Sequence, residues 1–350
     1  MFIGKKGSWL LVLAVVLSFS ACSANSGQPS QISSQAHISY NTENIDFGIY
    51  CSQEAAAKLI PNDTLASYKG QMGVIVSSMR FPYGGGMMNM AKDALQTYFP
   101  NINYVIGNGD GDPMTQSVII DDYIAKGIDV LVIDPVEKEA MVPAIERAKK
   151  AGIPVICVDR YVPAAVDLII KADDVKIGTK AGEYLVQYLG GKGKVIEIQG
   201  APSASNTNDR HKGFQEAIHG TNIEVIAAPY ADFLQATALS IMEDLLQRYA
   251  NEQVDAIYSQ SDVMTMGIIQ ALKATGRKIP IVSIDAQESA LDAVKAGEIQ
   301  ADVAYPIPMP AGIFAGAKAL KGEELPSYIE LECPVITKEN VDQYKGHSGY

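Results

Sequence analysis

The chain has 350 residues, which is enough for two domains. Its hydrophobic fraction of 47% and its charged fraction of 19% are those of an ordinary globular protein. A net charge of −12, with no stripe of lysine and arginine interleaved with aromatics, argues against a nucleic-acid partner.

The first 22 residues predict an export signal rather than a part of the fold. Lys5 and Lys6 form a basic start, and the apolar run at 9–16 that follows them is too short to span a bilayer. The ending "LSFSAC" (17–22) resembles a bacterial lipobox, with Phe19 where leucine is usual. This resemblance implies that Cys22 is lipidated and becomes the first mature residue, so that the protein is anchored to a membrane without crossing it. Ordinary signal-peptide cleavage is the alternative.

The next segment, residues 23–69, is predicted to be a tether followed by an N-terminal extension. Residues 23–37 are rich in Ser, Gln and Asn, which is typical of flexible linkers, and the pattern of 38–69 assigns no elements. The other cysteines, Cys51, Cys157 and Cys333, are odd in number and widely spaced, so we expect no disulfide framework. Cys157 lies in an apolar run and is expected to pack there. The four histidines have no ligand spacing, and we expect neither a metal nor a cofactor.

From Gly70 onward, apolar runs alternate with helical patterns. The first half predicts strands at 72–77, 103–107, 129–134 and 154–159, and helices at 86–98, 115–126 and 138–150. The second half predicts strands at 194–200, 224–230, 256–261 and 279–285, and helices at 174–189, 207–219, 235–249, 263–274 and 287–296. This alternation predicts an α/β protein with parallel sheets. Two sets of about four strands, separated near Ala172 and Asp173, favour two Rossmann-like lobes over one large sheet.

Polar or aromatic side chains follow the strands in both halves. They are Ser77, Asp159, Arg160, Phe233, Ser261 and Asp285. Because ligands of open parallel sheets bind outside the carboxyl ends of the strands, two facing lobes would bring these side chains to one cleft. Carboxylates and guanidiniums bind hydroxyls, aromatic faces cover C–H surfaces, and a pyranose or furanose presents both. A simple loop ion pair is the alternative for Asp159 and Arg160. No nucleophile with an adjacent base is visible, so a binding protein is favoured over an enzyme.

Residues 71–344 resemble the bacterial periplasmic sugar-binding proteins of ABC importers, specifically the ribose-binding type. The matching segments, in the family's order, are "PVICVDR", "EIQGAPSASNTNDRHKGFQEAI", "YADF", "IYSQSDVMTMGIIQAL" and "VSIDAQ". The resemblance implies the type 1 periplasmic-binding fold, with two lobes joined by a three-stranded hinge near Ala172, Tyr305 and Cys333. It implies an N-terminal lobe of 70–172 plus 306–332 and a C-terminal lobe of 173–305 plus 333–350.

The resemblance also implies a sugar site shared by the two lobes. Asp159 and Arg160 would bind sugar hydroxyls from the first lobe, and Arg210, Phe233 and Asp285 would bind the sugar from the second. Ser77, at the end of the first strand, would either contact the sugar or cap a turn.

Four positions depart from the ribose-binding pattern. Phe81, Ser261 and Tyr305 stand where the ribose binders have amides, and Gly84 stands where they have a second aromatic, whereas Tyr83 matches a stacking aromatic. Because a site built to hydrogen-bond a hydroxyl rejects a ligand that lacks it, the departures predict a small sugar other than ribose. The alternative for Phe81 and Tyr305 is that they line the cleft as packing only.

The implied function is the capture of a monosaccharide and its delivery to an ABC permease, by an extracytoplasmic, lipid-anchored monomer of the cell envelope. The alternative is a binding protein that senses a sugar or a furanose signal and feeds a chemoreceptor or a sensor kinase. Sugar-responsive repressors share the two-lobe core, but this chain begins with an export signal in place of a DNA-binding helix-turn-helix.

Overall fold

The computed structural model describes residues 45, 47, 49–202, 204–250, 253–347 and 350. Within them the strands are β1 (Gly70–Val76), β2 (Ile102–Asn108), β3 (Val130–Ile133), β4 (Val155–Val158), β5 (Leu168–Ala172), β6 (Lys192–Ile198), β7 (Asn222–Ala227), β8 (Ala256–Ser259), β9 (Ile281–Asp285), β10 (Ala301–Ala304), β11 (Tyr328–Leu331) and β12 (Val335–Thr337). The α-helices of the same residues are α1 (Gln53–Leu59), α2 (Pro82–Tyr98), α3 (Pro113–Ala125), α4 (Val142–Lys150), α5 (Asp174–Leu189), α6 (Ser205–Ile218), α7 (Gln235–Arg248), α8 (Asp262–Thr275), α9 (Glu288–Ala296) and α10 (Met309–Leu320). The predicted signal segment 1–22, with Cys22, lies outside the described residues.

The described strands form two sheets of six. The first has the order β11-β5-β4-β3-β1-β2, and all of its neighbours run parallel. The second has the order β12-β10-β9-β8-β6-β7 and is parallel except for β12, which runs antiparallel to β10. The predicted pair of α/β lobes is therefore confirmed, and in each lobe the parallel strands end at one edge of the sheet.

Helices cover both faces of each sheet, which explains why the central strands are continuous apolar runs. β3 ("VLVI") and β4 ("VICV") are buried along their whole length. In the first lobe, α2 and α10 pack on one face, and α3 and α4 pack on the other. In the second lobe, α5 and α6 cover one face, and α7, α8 and α9 cover the other.

The structure corrects several predicted element boundaries. β5, β10, β11 and β12 are strands that the sequence pattern did not predict, so each sheet has six strands instead of about four. Helix α2 begins at Pro82 rather than 86, and α4 begins at Val142 rather than 138. Pro82 and Pro143 lie in the first turns of these helices, where proline fits because the N–H that it lacks has no partner there. The antiparallel β12 is the exception to the predicted parallel order.

The chain passes between the two sheets after Ala172, at 305–308 and at 332–334. A segment before β1 also touches both lobes: the Phe47 ring lies 4.7 Å from the ring of Phe314 in the first lobe, whereas Tyr50 stacks on Tyr344 of the second lobe, with the ring centroids 6.1 Å apart. Helix α1 then packs back on the first lobe. Part of the predicted N-terminal extension is therefore packed against the lobes.

The cysteines Cys51, Cys157 and Cys333 are free. Cys157 is buried in β4, which confirms the prediction that it packs in a strand. Among the described residues, no helix combines the length and the apolar character needed to cross a bilayer.

Candidate functional site

A cavity of about 90 Å³ lies where the carboxyl ends of the strands of both sheets converge. All ten side chains predicted from the sequence line it: Ser77, Phe81, Tyr83, Asp159, Arg160, Arg210, Phe233, Ser261, Asp285 and Tyr305. It is also lined by Ser78, Pro82, Gly84, Asn206, Val263 and Gln287. The cavity is small and suits one compact solute, and contact between these side chains and a ligand remains a prediction.

Asp159, the first residue after β4, is the centre of a hydrogen-bonded group in the first lobe. Its backbone has φ +65°, a left-handed conformation that Asp tolerates better than most residues. Its Oδ1 accepts hydrogen bonds from the hydroxyls of Tyr83, at 2.9 Å, and of Tyr305. The Tyr83 hydroxyl also lies 3.1 Å from the carbonyl oxygen of Pro306. Burial raises the pKa of Asp159, and the Arg160 guanidinium opposes this shift.

Arg160 lies between two carboxyl groups. Its Nε is 3.5 Å from Oδ2 of Asp159 and 3.9 Å from Oδ1 of Asp134, and its Nη1 donates to the carbonyl of Val136 at 3.1 Å. The predicted loop ion pair with Asp159 is therefore present, and both side chains also face the cavity. Asp134 is fully buried, and burial raises its pKa to about 7 against the opposing effect of Arg160.

Arg210 is the corresponding guanidinium of the second lobe, and it is only 1% exposed. It comes from α6, where Nε donates to Oδ1 of Asp174 at 3.1 Å and Nη1 donates to the carbonyl of Gln260 at 2.7 Å. Nη1 also lies 3.7 Å from Oδ1 of Asp285, and the guanidinium stacks over the ring of Tyr305 at 4.4 Å. Burial alone would lower the pKa of Arg210, but Asp174 and Asp285 raise it above its usual value.

Asp285 ends β9 in an unusual backbone conformation, with φ +128°. Its Oδ2 accepts a hydrogen bond from the backbone N–H of Asp262 at 3.2 Å. Burial raises the pKa of Asp285 well above its usual value, although the Arg210 guanidinium lowers it. The side chain thus faces the cavity as a carboxyl group that burial has stripped of most of its hydration.

Phe233 is an aromatic side chain of the second lobe that lines the cavity, and its ring packs against Gly200. Phe233 has φ +59°, a conformation that is strained for a bulky side chain and that is found most often at functional sites. A Cβ atom at Gly200 would lie 2.0 Å from Cζ of Phe233, so the ring occupies its position only because residue 200 has no side chain. The segment "EIQG" therefore contributes to the site through its glycine.

The start of α2 shapes the rim of the first lobe. A Cβ atom at Gly84 would lie 1.8 Å from the carbonyl oxygen of Ser78, so this position has no room for an aromatic side chain. Phe81 caps the helix without a side-chain hydrogen bond and lines the cavity. Ser77 is buried, and its N–H donates to Oδ2 of Asp134 at 3.1 Å.

Ser261 has a structural role beside its place in the cavity wall. It is the N-cap of α8, and its hydroxyl oxygen accepts a hydrogen bond from the N–H of Met264 at 3.4 Å. This bond uses the hydroxyl oxygen as an acceptor only and leaves the hydroxyl proton available as a donor.

Sequence reasoning selected neither the six further lining residues, Asn206 among them, nor the two buried carboxyl groups that pair with the arginines, Asp134 and Asp174. Asp134 directly follows β3, and the strand-end rule that selected Asp159 could have found it. Asn206 lies one helical turn before Arg210, so i, i+4 spacing places both on one face of α6. Asp174 starts a helix rather than following a strand, and no sequence pattern marks it as the partner of Arg210. No cluster of possible metal ligands is found in the described part of the chain.

Comparison with known proteins assigns the family. Residues 72–323 match the model of the periplasmic binding protein domain. The chain belongs to the periplasmic binding proteins. It is 31% identical over 278 residues to the ribose import binding protein of Haemophilus influenzae, an alignment that covers 78% of this chain and 93% of that relative. The curated relatives are solute-binding proteins, so this periplasmic binding protein is not an enzyme.

Solved structures agree with this assignment. A galactofuranose-binding protein is 27% identical, with a TM-score of 0.74, and the match covers 80% of this chain and 99% of that one. The fructose-binding periplasmic domain of a hybrid two-component system is 26% identical, with a TM-score of 0.73 over 79% of this chain and 93% of that one. The type 1 periplasmic-binding fold that the sequence predicted is therefore confirmed.

Proposed function

We propose that this extracytoplasmic binding protein captures one small monosaccharide between its lobes and delivers it to an ABC permease. The observation that carries the proposal is the state of Arg210. Its side chain is buried and lines the cavity, and its Nη2 has no hydrogen-bond partner among the described residues. A buried donor without an acceptor is costly, and a sugar oxygen would supply the acceptor. The similarity to a ribose import binding protein and to a galactofuranose-binding protein supports this class of ligand.

The remaining walls of the cavity also suit a sugar. The rings of Phe81 and Phe233 offer apolar faces to C–H surfaces, and the carboxyl groups of Asp159 and Asp285 offer acceptors to hydroxyls. The ligand residues come from both sheets, so a bound sugar contacts both lobes and favours their closure. The hinge of this motion lies at the passages near Ala172, Tyr305 and Cys333, which separate lobes of 70–172 plus 306–332 and 173–305 plus 333–350.

The ligand is a small sugar other than D-ribose. Tyr83 and Tyr305 both donate to Oδ1 of Asp159, so this oxygen has little capacity left for sugar hydroxyls. Phe81 and Ser261 provide an apolar edge and a capping hydroxyl, where the ribose binders have amides. A ring with fewer hydroxyls at these points fits better.

A panel of pentoses, hexoses and furanoses tests the function on purified mature protein by thermal shift. A bound ligand raises stability by RT ln(1 + [L]/Kd), so the strongest binder gives the largest shift. The only tryptophan, Trp9, lies in the export signal, and Tyr83 and Tyr305 report binding through tyrosine fluorescence. A panel in which no sugar shifts the melting temperature contradicts the function, and D-ribose as the strongest binder contradicts the specificity.

The protein acts as a lipid-anchored monomer. Removal of residues 1–21 leaves Cys22 as the lipidated first residue, and residues 23–69 lead from the anchor to the lobes. The lipobox-like ending "LSFSAC" supports the anchor. Light scattering on the delipidated mature chain tests the monomer, and a dimeric mass would contradict it.

Sensing is a second candidate, supported by the similarity to the fructose-binding domain of a hybrid two-component system. The two functions predict different phenotypes for a strain that lacks the gene. Loss of uptake of the radiolabelled sugar found in the panel supports transport. Normal uptake with a lost transcriptional response to that sugar supports sensing.

A further inference from the structure

Tyr350 reaches the back of the cleft, although no sequence motif singles it out. Its hydroxyl lies 3.3 Å from the carbonyl oxygen of Asp285 and 3.3 Å from that of Tyr305, so it shares its proton between the two. Its ring meets the ring of Tyr83 edge to face, with the centroids 5.2 Å apart and the planes at 86°. We propose that Tyr350 is a positioning residue of the sugar site, which holds Tyr83, Tyr305 and Asp285 against one another.

The three contacts belong to three different parts of the molecule. Tyr83 is on α2 of the first lobe, Asp285 ends β9 of the second lobe, and Tyr305 is in the passage between the lobes that follows β10. Tyr350 can therefore hold all three only while the lobes are close together. An interaction that exists in only one of two conformations shifts the equilibrium toward it, so Tyr350 favours the closed, sugar-binding arrangement.

The same contacts also set the orientation of the groups that face the sugar. Tyr83 and Tyr305 both donate their hydroxyls to Asp159, and their rings lie 5.2 Å apart. The carbonyl of Asp285 that Tyr350 contacts also accepts the N–H of Tyr305 at 3.1 Å. Loss of Tyr350 would therefore loosen an acidic residue of each lobe. Asp159 of the first lobe would be affected through its donors Tyr83 and Tyr305, and Asp285 of the second lobe would be affected through its backbone carbonyl. Tyr350 itself does not line the cavity.

The first test measures the affinity for a sugar, so it rests on the proposed function. It uses the full mature protein with the sugar that binds most tightly in the panel. Tyr350→Phe removes only the shared hydroxyl bond, and we expect Kd by calorimetry to rise about three-fold. Tyr350→Ala also removes the ring, and we expect Kd to rise roughly ten-fold or more, so that the conservative variant restores most of the affinity. Tyr344→Ala is the matched control, because Tyr344 belongs to the same C-terminal segment but stacks on Tyr50, away from the cavity.

A second readout needs no sugar. In the unliganded protein, Tyr350→Ala should speed hydrogen exchange at the amide of Tyr305, and Tyr344→Ala should leave it at the parental rate. If the parent protein binds no sugar, the proposed function fails, and the exchange rate alone decides the role of Tyr350. Unchanged exchange at Tyr305, or equal losses of affinity in the Tyr350→Ala and Tyr344→Ala variants, would overturn the proposal.

Discussion

Replacement of Arg210 by methionine removes the charge of a guanidinium that is only 1% exposed, while keeping an unbranched side chain of similar length. In the native protein the guanidinium contacts Asp174 at 3.1 Å, the carbonyl of Gln260 at 2.7 Å and Asp285 at 3.7 Å. Its side chain is 1% exposed, and those of Asp174 and Asp285 are 4% and 11% exposed. The variant leaves the buried Asp285 without its cation, and it leaves Asp174 with only Lys171, whose Nζ lies 3.4 Å from Oδ2 of Asp174.

The expected cost follows from this burial. Removal of one partner from a buried ion pair typically costs about 3–5 kcal/mol, because the remaining charge stays desolvated. We expect the free energy of unfolding of the Arg210→Met variant to fall by about this amount, and sugar binding to be lost as well, because a charged hydrogen bond to a ligand contributes roughly 1.5–3 kcal/mol. Urea-induced unfolding and titration calorimetry measure the two effects.

The stability loss should also depend on pH. Arg210 lowers the pKa of Asp285, which burial has already raised well above its usual value, so the variant raises it further. A carboxyl group whose native pKa exceeds its unfolded value holds its proton in the native state, and its penalty grows as the pH rises from the unfolded toward the native pKa. We therefore expect the difference between variant and parent to be smaller at pH 5 than at pH 8.

Arg147→Met is the matched control, because it removes the same charge from an exposed pair. The Arg147 side chain is 44% exposed, and its Nε lies 2.8 Å from Oδ1 of Asp121. An exposed pair of this kind contributes about 0–1 kcal/mol. If Arg210→Met destabilises the protein no more than Arg147→Met does, the reasoning about the buried ionic group is wrong.

Three further changes test other parts of the structure. Gly84→Ala places a Cβ atom 1.8 Å from the carbonyl oxygen of Ser78 and should raise the sugar Kd in calorimetry about ten-fold or more. The control Gly85→Ala meets open space, so it should keep the parental Kd and stabilise α2 by up to about 1 kcal/mol. Equal Kd values for the two variants would contradict this prediction. Burial raises the pKa of Asp134 to about 7, so the free energy of unfolding of the parent should fall as the pH rises from about 4 to 7. Asp134→Asn should lack this part of the decline when stability is measured by urea unfolding. Parallel pH curves for parent and variant would refute this prediction. Cys22→Ala should move the protein from the membrane fraction to the soluble fraction of fractionated cells, and unchanged membrane association would refute the lipid anchor.

The site residues that follow strands line one cavity because the strand-end rule depends only on topology. The other predicted residues came from the family resemblance and not from this rule: Phe81, Tyr83, Arg210 and Tyr305. Once the alternation of strands and helices establishes parallel sheets, Asp159, Ser261 and Asp285 must lie at the converging edges. Two of the four strands that the sequence pattern did not predict, β11 and β12, lie at the edges of their sheets. β11 alternates exposed and buried residues at a sheet edge, and β12 is only three residues long, so their short patterns are not separable from loops.

The partners of the site residues were less predictable than the residues themselves. The pairing of Arg210 with Asp174 depends on the packing of α5 against α6, and it joins residues 36 positions apart. Likewise, the placement of Phe233 depends on a close approach to Gly200, which a sequence pattern does not encode. Side-chain contacts of this kind are set by the packing of whole elements, whereas the strand-end rule needs only their order.

The charges in the cleft explain why closure and ligand binding belong together. Burial raises the pKa of both Asp159 and Asp285, so desolvation of these carboxyl groups opposes closure. Arg160 and Arg210 offset part of this cost, but Nη2 of Arg210 has no acceptor among the described residues. In the proposed function, a bound sugar would supply hydroxyl donors to the carboxyl groups and an oxygen acceptor to the guanidinium in the same event. Because these groups come from both lobes, the proposed function requires a ligand that stabilises the closed arrangement more than the open one, and we expect this difference to drive the hinge.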